Sequence, residues 1–282
     1  MLVQILSIAA TSSAYYMLLA LGFTLIFGLL RIVNFAHGEF VMIGAYSLFW
    51  LTTTMGLGYF AALPIAGVMA ALAGLLAERL VFRRFVGNEL GGMITAIALA
   101  ITIQGAASLL FTVDQQSVAR PITGAFEVGG ALLAKDQLFV AAAALLVVGL
   151  LHLLIHRTRL GLTMKAVAED PDVARIYGVA PSLVMPIGFA LGCLLAGIAG
   201  ALVAPLYTIH PYMGEVAILK SFIVVVLGGL GSLRGAMLAA IFLGVTEALV
   251  SVWASATLAT LVAFALVMVI LVVRPAGIGG RS

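Results

Sequence analysis

Residues Arg157–Val179 read RTRLGLTMKAVAEDPDVARIYGV. This stretch holds four of the 14 Lys and Arg residues and three of the 11 Asp and Glu residues of the chain, and long apolar runs flank it on both sides. Charges in lipid cost several kcal/mol each, so a polar island of this kind belongs in water, as a loop between membrane spans. Its internal pattern is helical. Asp170 is placed to cap free backbone N–H groups, and Pro171 suits the first position of a helix. Asp172 adds negative charge at the helix start, and Gly178 stands where a left-handed cap ends it. The pattern predicts a short helix over Pro171–Tyr177, preceded by another over Thr163–Glu169 and joined to it by a tight turn. Such a loop is either a solvated connector that orients two spans or a docking element for a partner. Its length and local specification favour docking.

Working outward, the composition excludes a water-soluble domain. The chain has 282 residues, of which 64% are hydrophobic and 9% charged, and its mean hydropathy is +1.25. Soluble domains carry about 25% charged residues. The apolar runs are continuous rather than alternating, which favours helices over a membrane barrel. The fold class expected is an all-α polytopic membrane protein. It is read as a single transmembrane domain over residues 1–282, with 8–9 transmembrane or partly re-entrant helices and a cytoplasmic loop at 157–181. A net charge of +3 gives no basis for nucleic-acid binding. The single Cys193 lies in an apolar run and reads as a packing residue. The apolar amino-terminal stretch has no basic leader or obvious cleavage site, and reads as a retained first span.

The expected spans are 5–30, 35–54, 59–80, 92–113, 137–155, 183–204, 207–230, 233–252 and 256–273, with a polar loop at 114–136. The segment 207–230 carries Pro211, Gly214, Glu215 and Lys220, then Gly228, Gly229 and Gly231. It reads as one full span or a broken, partly re-entrant one. If it counts as one crossing, Arg31, Arg79, Arg83, Arg84, Arg157, Arg159, Lys165, Arg175, Arg234, Arg274 and Arg281 share one face. Arg120 and Lys135 fall on the other, and Lys220 is ambiguous. Positive charge concentrates on the cytoplasmic side, so the loop and the carboxyl terminus are expected inside and the amino terminus outside.

Three further runs carry a resemblance, together with KAVAEDPDVARIYGV (Lys165–Val179). They are GFTLIFGLLRIVNFAHGEFVMIGAY (Gly22–Tyr46), LKSFIVVVLGGLGSLRGAM (Leu219–Met237) and the closing RPAGIGGR. In this order the four resemble the LivH-type permease subunits of ABC importers for branched-chain amino acids, and the match spans nearly the whole chain. The resemblance implies an ABC-importer permease fold in a bacterial inner membrane. It implies a second related permease, two cytoplasmic ATPase subunits and a periplasmic substrate-binding protein as partners. ATP and Mg would be held by the partners, and this chain would bind no cofactor. Its ATPase-coupling segment would comprise Lys165, Ala166, Ala168, Glu169, Asp170, Pro171, Ala174, Arg175 and Gly178. The chain departs from the EAA pattern of the wider importer class, because Glu169 is followed by Asp170 and Pro171. Arg234 also stands where an uncharged residue is usual. Branched-chain amino acids are the family's default substrate, with urea or short amides as the alternative.

Polar residues within the spans are the other candidates. Asn34, His37, Gly38 and Glu39 open the second span, as a lining of the path or as a self-satisfied network. Asn34 and His37, three apart, can face the same way. His37 and Glu39, two apart, do not face each other on a regular helix, which argues against a catalytic dyad or a metal pair. Gly188, Gly192, Ala196, Gly200 and Ala204 recur every four residues, as a stripe for close helix packing. Gly228, Gly229, Gly231, Ser232 and Gly235 interrupt a span, as a turn or a broken helix facing a cavity. Glu215 and Lys220 either snorkel to the outer interface or line an outer gate. Glu247 lies inside a span, where it is expected to be protonated or paired.

Three function classes remain. A permease subunit must take its energy from a partner, since the chain has no G-x-x-x-x-G-K-[ST] phosphate loop. A stand-alone channel or secondary transporter would concentrate ionisable groups at the midplane, and here they are sparse. An intramembrane enzyme would need converging catalytic groups or metal ligands. His152 and His156 have helical spacing but no obvious carboxylate beside them, so no catalytic or metal-ligating residue is assigned.

Overall fold

The computed structural model describes residues 2–128, 131–274 and 277–279. Pro275, Ala276, Gly280, Arg281 and Ser282 of the expected basic tail lie outside the described residues. The elements run α1 (Leu2–Leu30), α2 (His37–Phe49, continued by one π-turn at Trp50–Thr54), α3 (Tyr59–Leu80) and α4 (Glu89–Phe111). A short hairpin follows, β1 (Ala125–Val128) and β2 (Ala131–Ala134). Then come α5 (Lys135–Arg157), α6 (Arg159–Glu169), α7 (Pro171–Ile176), α8 (Pro181–Val203), α9 (Met213–Gly228), α10 (Leu233–Trp253) and α11 (Ala256–Val273). Among the described residues, six of these helices are long and apolar enough to cross a membrane: α1, α3, α4, α5, α8 and α10. The chain is a multi-pass, all-α membrane protein.

The bundle is organised around α1. It packs against α10, α8, α5 and α9, and 83% of its most apolar window is buried. By contrast α4 is only 11% buried and turns Leu90, Ile94, Ile101, Leu109 and Leu110 outward, as a lipid-facing helix does. Association between helices in lipid relies on close packing, since lipid tails are as apolar as leucine. The helix crossings accordingly use glycine. A Cβ on Gly200 would stand 1.9 Å from the Val41 carbonyl oxygen, one on Gly44 2.1 Å from that of Gly197, and one on Gly192 2.7 Å from that of Gly22. A Cβ on Gly188 would overlap Leu29, and Ala196 is fully buried. Cys193 is buried against Gly74.

The helix of the second span starts two residues later than expected, and 207–230 follows the broken alternative. After α1 the chain turns at Arg31 (φ 55°), and residues 31–36 are not helical. Ile32 packs at Gly92 near the start of α4, whereas His37 hydrogen-bonds the Leu19 carbonyl midway along α1. The helix of the second span therefore begins inside the bundle. The segment 207–230 behaves likewise. Its helix α9 starts only at Met213 and has 16 residues, about 24 Å of rise against a hydrocarbon core of about 30 Å. Residues 204–212 form turns, and Ile209 pairs through both backbone groups with Gln116, at 2.8 and 2.9 Å.

The hairpin is a correction to the loop expected over 114–136. Residues 125–128 and 131–134 pair antiparallel, Ala125 opposite Ala134. Too short to register as a strand pattern, it lies at the end of the bundle opposite the 157–181 loop. There Arg120 also pairs with Asp136 at 3.0 Å.

Gly200→Leu should sharply lower the thermal unfolding midpoint of the purified protein, by overpacking of at least about 1–3 kcal/mol. Gly149→Leu should leave it within a degree or two, because nothing lies within 4 Å of its Cβ position. Equal midpoints for the two variants would refute the close-crossing account.

Candidate functional site

The 157–181 loop folds as two short helices. Thr158 caps α6 by accepting from the Gly161 N–H at 3.1 Å. Asp170 caps α7 by accepting from the N–H groups of Asp172 at 2.8 Å and Val173 at 3.0 Å. Pro171 occupies the first helical position, and Gly178 (φ 80°) ends the helix, its N–H bonding to the Arg175 carbonyl at 3.1 Å. The first helix is longer than the expected 163–169, because Thr158 supplies a cap five residues earlier. Ala174 is buried, Ala166 and Ala168 pack against the core, and Lys165, Glu169, Asp170 and Arg175 face outward. Arg175 pairs with Asp172 at 3.0 Å.

This helix pair is tied to the bundle. The Arg31 guanidinium donates to the Glu169 carbonyl at 3.2 Å, placing a cation on the last turn of α6. A cavity of about 430 Å³ opens beside it, bordered by Arg31, Glu89, Lys165, Glu169 and Gly231. Val173, Ile176 and Tyr177 leave apolar surface uncovered at α7 and its C-cap, with Ile176 and Tyr177 82% and 83% exposed.

The glycine run 228–235 is a turn between α9 and α10. Gly229 (φ 91°) and Gly231 (φ 83°) take the left-handed region. Ser232 caps α10 by accepting from the Gly235 N–H at 3.1 Å. The tail pins the turn, with the Ile278 N–H on the Leu227 carbonyl and the Gly279 N–H on that of Gly228, at 2.8 and 3.0 Å. Within this run Leu230, Gly231 and Leu233 border the cavity beside Arg31.

In the interior, the starts of α2 and α9 meet. A Cβ on Gly38 would lie 2.0 Å from the Gly214 carbonyl oxygen, and the Glu39 carboxyl is packed against Gly214 in the first turn of α9. A carboxylate there faces the positive end of the helix. Gln104 of α4 donates to Glu39 Oε1 at 2.9 Å. The side chains of Asn34 and His37 do not bond each other, although the His37 N–H donates to the Asn34 carbonyl at 3.1 Å. Asn34 Oδ1 accepts from the Ala36 N–H at 3.0 Å, and His37 Nε2 meets the Leu19 carbonyl at 3.1 Å. The break at 31–36 abolishes the helical spacing that would have brought them to one face. All three of Asn34, His37 and Glu39 are buried.

A second cavity, also of about 430 Å³, lies between α1, α9, α10, α11 and the turn at 204–212. Lys220 and Glu247 form an ion pair on its wall, and the Tyr16 hydroxyl donates to the other Glu247 oxygen. Lys220 Nζ also stands 5.6 Å from the centroid of the Tyr16 ring. Lys220 thus does not snorkel outward: it is buried, and its partner is Glu247 rather than Glu215. Pairing is also the outcome for the intramembrane glutamate. Sequence reasoning missed Tyr16 and Gln104, although a glutamine inside an apolar span is itself a signal.

The family described as "Branched-chain amino acid transport system / permease component" matches residues 5–273. The high-affinity branched-chain amino acid transport system permease protein LivH of Salmonella typhimurium (strain LT2) is 34% identical over 288 aligned positions, covering 96% of this chain and 93% of that protein. The high-affinity branched-chain amino acid transport system permease protein BraD of Pseudomonas aeruginosa is 32% identical over 286 positions, covering 96% and 93%. The permease protein LivM of Escherichia coli (strain K12) is 30% identical over 266 positions, covering 85% and 62%. No solved structure matches the chain.

The hydrogen bonds from Val173 and Asp172 hold the Asp170 carboxyl below its ordinary range. A carboxyl depressed by folding stabilises at pH values above its unfolded pKa of about 3.9, and the contribution fades as pH falls through the lower folded value. Amide-exchange protection at Asp172 and Val173, corrected for intrinsic rates, should therefore hold at neutral pH and fall only in acid. In Asp170→Asn, an equally good cap, the acid step should vanish; its persistence would locate the titration elsewhere. Separately, Gln104→Leu should destabilise by about 1–3 kcal/mol, since it strips a donor from a buried carboxyl. A thermal midpoint unchanged from the parent would show that Glu39 does not depend on Gln104.

Proposed function

This chain belongs to the permease-component family of branched-chain amino acid transport systems, and from that premise we propose that it is a membrane subunit of an ABC importer for branched-chain amino acids. In this reading the 157–181 loop is the cytoplasmic face, and α6 and α7 receive the ATPase. Positive-inside orientation then puts the hairpin and the amino terminus outside. The bilayer is the inner membrane of a prokaryotic cell. A second, related permease, two ATPase subunits and a periplasmic binding protein complete the assembly, with ATP and Mg held by the ATPases.

The observation that carries the reading is the apolar face of α7. Val173, Ile176 and Tyr177 stand uncovered on a helix pair that is capped and tied by Arg31 to the end of α1, around which the bundle packs. Exposed apolar side chains on a rigid, water-side element fit a groove on a partner. Alternating access in this proposal is transmitted along α1, which runs from Arg31 at the docking end past Tyr16 at the inner cavity.

The test is coupling. Asp170→Ala with Pro171→Gly removes the cap and the pre-set helix start of α7. In proteoliposomes containing the assembled importer, it should lower both leucine uptake and binding-protein-stimulated ATP hydrolysis by about tenfold or more, a loss of roughly 1.4 kcal/mol of coupling free energy. The membrane domain should fold as before, because the change is confined to the loop. Uptake and stimulated hydrolysis at parental rates would refute the docking role.

A further inference from the structure

We propose that the Lys220–Glu247 pair on the wall of the inner cavity is the site that receives the zwitterionic end of an amino acid during translocation. The α-carboxylate is taken by Lys220 and the α-ammonium by Glu247. This inference rests on the amino-acid import proposed above.

The argument begins with cost. Two opposite charges taken out of water into a bundle must neutralise each other. A pair that served packing alone would be sealed among apolar side chains. Here it borders a cavity of about 430 Å³, within the range of small-molecule sites. The remaining wall is amphipathic. Tyr15, Tyr16 and Tyr207 present rings with polar tips, and Thr11, Thr208 and Ser251 present hydroxyls, beside the apolar Val203 and Val216. That composition offers an aliphatic side chain apolar surface while its charged end meets the ion pair.

The charge balance favours one ligand class. A zwitterion carries the same two charges as the pair and no net charge. If Lys220 and Glu247 separate to admit it, each acquires an opposite partner and no uncompensated charge is left in the membrane. A lone carboxylate would leave Glu247 unpaired, and a lone amine would leave Lys220 unpaired. The Tyr16 hydroxyl donates to Glu247 and its ring lies 5.6 Å from Lys220 Nζ, so each charge has a second neighbour besides the other. No covalent step is involved.

Cysteine protection tests this directly. Ser251→Cys places a thiol on the cavity wall, and Thr208→Cys places a second on the turn across it. The native Cys193 is buried and stays silent. The assembled importer is treated with a small methanethiosulfonate in the presence of leucine, 4-methylpentanoate (leucine without its ammonium) or 3-methylbutylamine (leucine without its carboxylate). The expected result is saturable protection by leucine, to roughly a tenth of the free rate at about ten times its half-effect concentration. The two single-charge analogues should give little protection, and Glu247→Gln should abolish that by leucine. No protection at either thiol, or equal protection by an analogue carrying one charge, would overturn the assignment. Leucine uptake by the parent importer separates the two levels. If the parent takes up leucine but leucine gives no protection, only the site falls; if it takes up no amino acid, the transport reading falls as well.

Discussion

A charge buried in a bilayer must bring its own counter-charge, and Lys220 and Glu247 meet that requirement for one another. Their pairing holds α9 and α10 in register, and the Tyr16 hydroxyl adds α1 to the same contact. Three of the helices that line the inner cavity are therefore joined by one polar cluster. Either charge alone would be a large penalty, so this part of the bundle is specified more sharply than apolar packing would achieve. The same logic governs the interior meeting of α2 and α9. There Gln104 satisfies one oxygen of Glu39, and the first turn of α9 faces the carboxyl.

Helix α1 relates these polar points to the water-side loop. Arg31, just past its end, bonds the last turn of α6. Tyr16 stands 15 residues earlier on the same helix, about 22 Å away. Glycine crossings at Gly22–Gly192 and Gly200–Val41 leave little slack between α1, α2 and α8. A displacement of α6 and α7 therefore has a stiff route to the cavity wall, which is the arrangement that the proposed coupling uses.

Much of this was legible in the sequence, and what was not has physical reasons. The loop helices were readable because Asp170, Pro171 and Gly178 act through local backbone chemistry. The glycine stripe was readable because its period is that of a helix. The first residues of α2 and α9 were legible only roughly. Arg31 and Asn34 marked the break after α1, but Phe35 and Ala36 are as apolar as the helix they precede, so the start of α2 was set two residues early. The pairing of Lys220 was not legible, because its partner lies 27 residues away on another helix, a distance that no local pattern spans. Tyr16 looked like part of an apolar run, and its role comes only from the carboxylate opposite. The hairpin at 125–134 was too short for alternation to register. Family membership was legible from four ordered motifs, because together they cover most of the chain.

The most direct measurement on the central claim is what this chain assembles with. A tag on its carboxyl-terminal tail, gentle solubilisation and mass spectrometry of the purified complex would identify the partners. The account predicts a second permease of the same family together with ATPase subunits, lost together when Ile176 and Tyr177 are both replaced by aspartate in the case of the ATPases and retained in the case of the permease. A chain that purifies alone and moves solute in liposomes without ATP would contradict it.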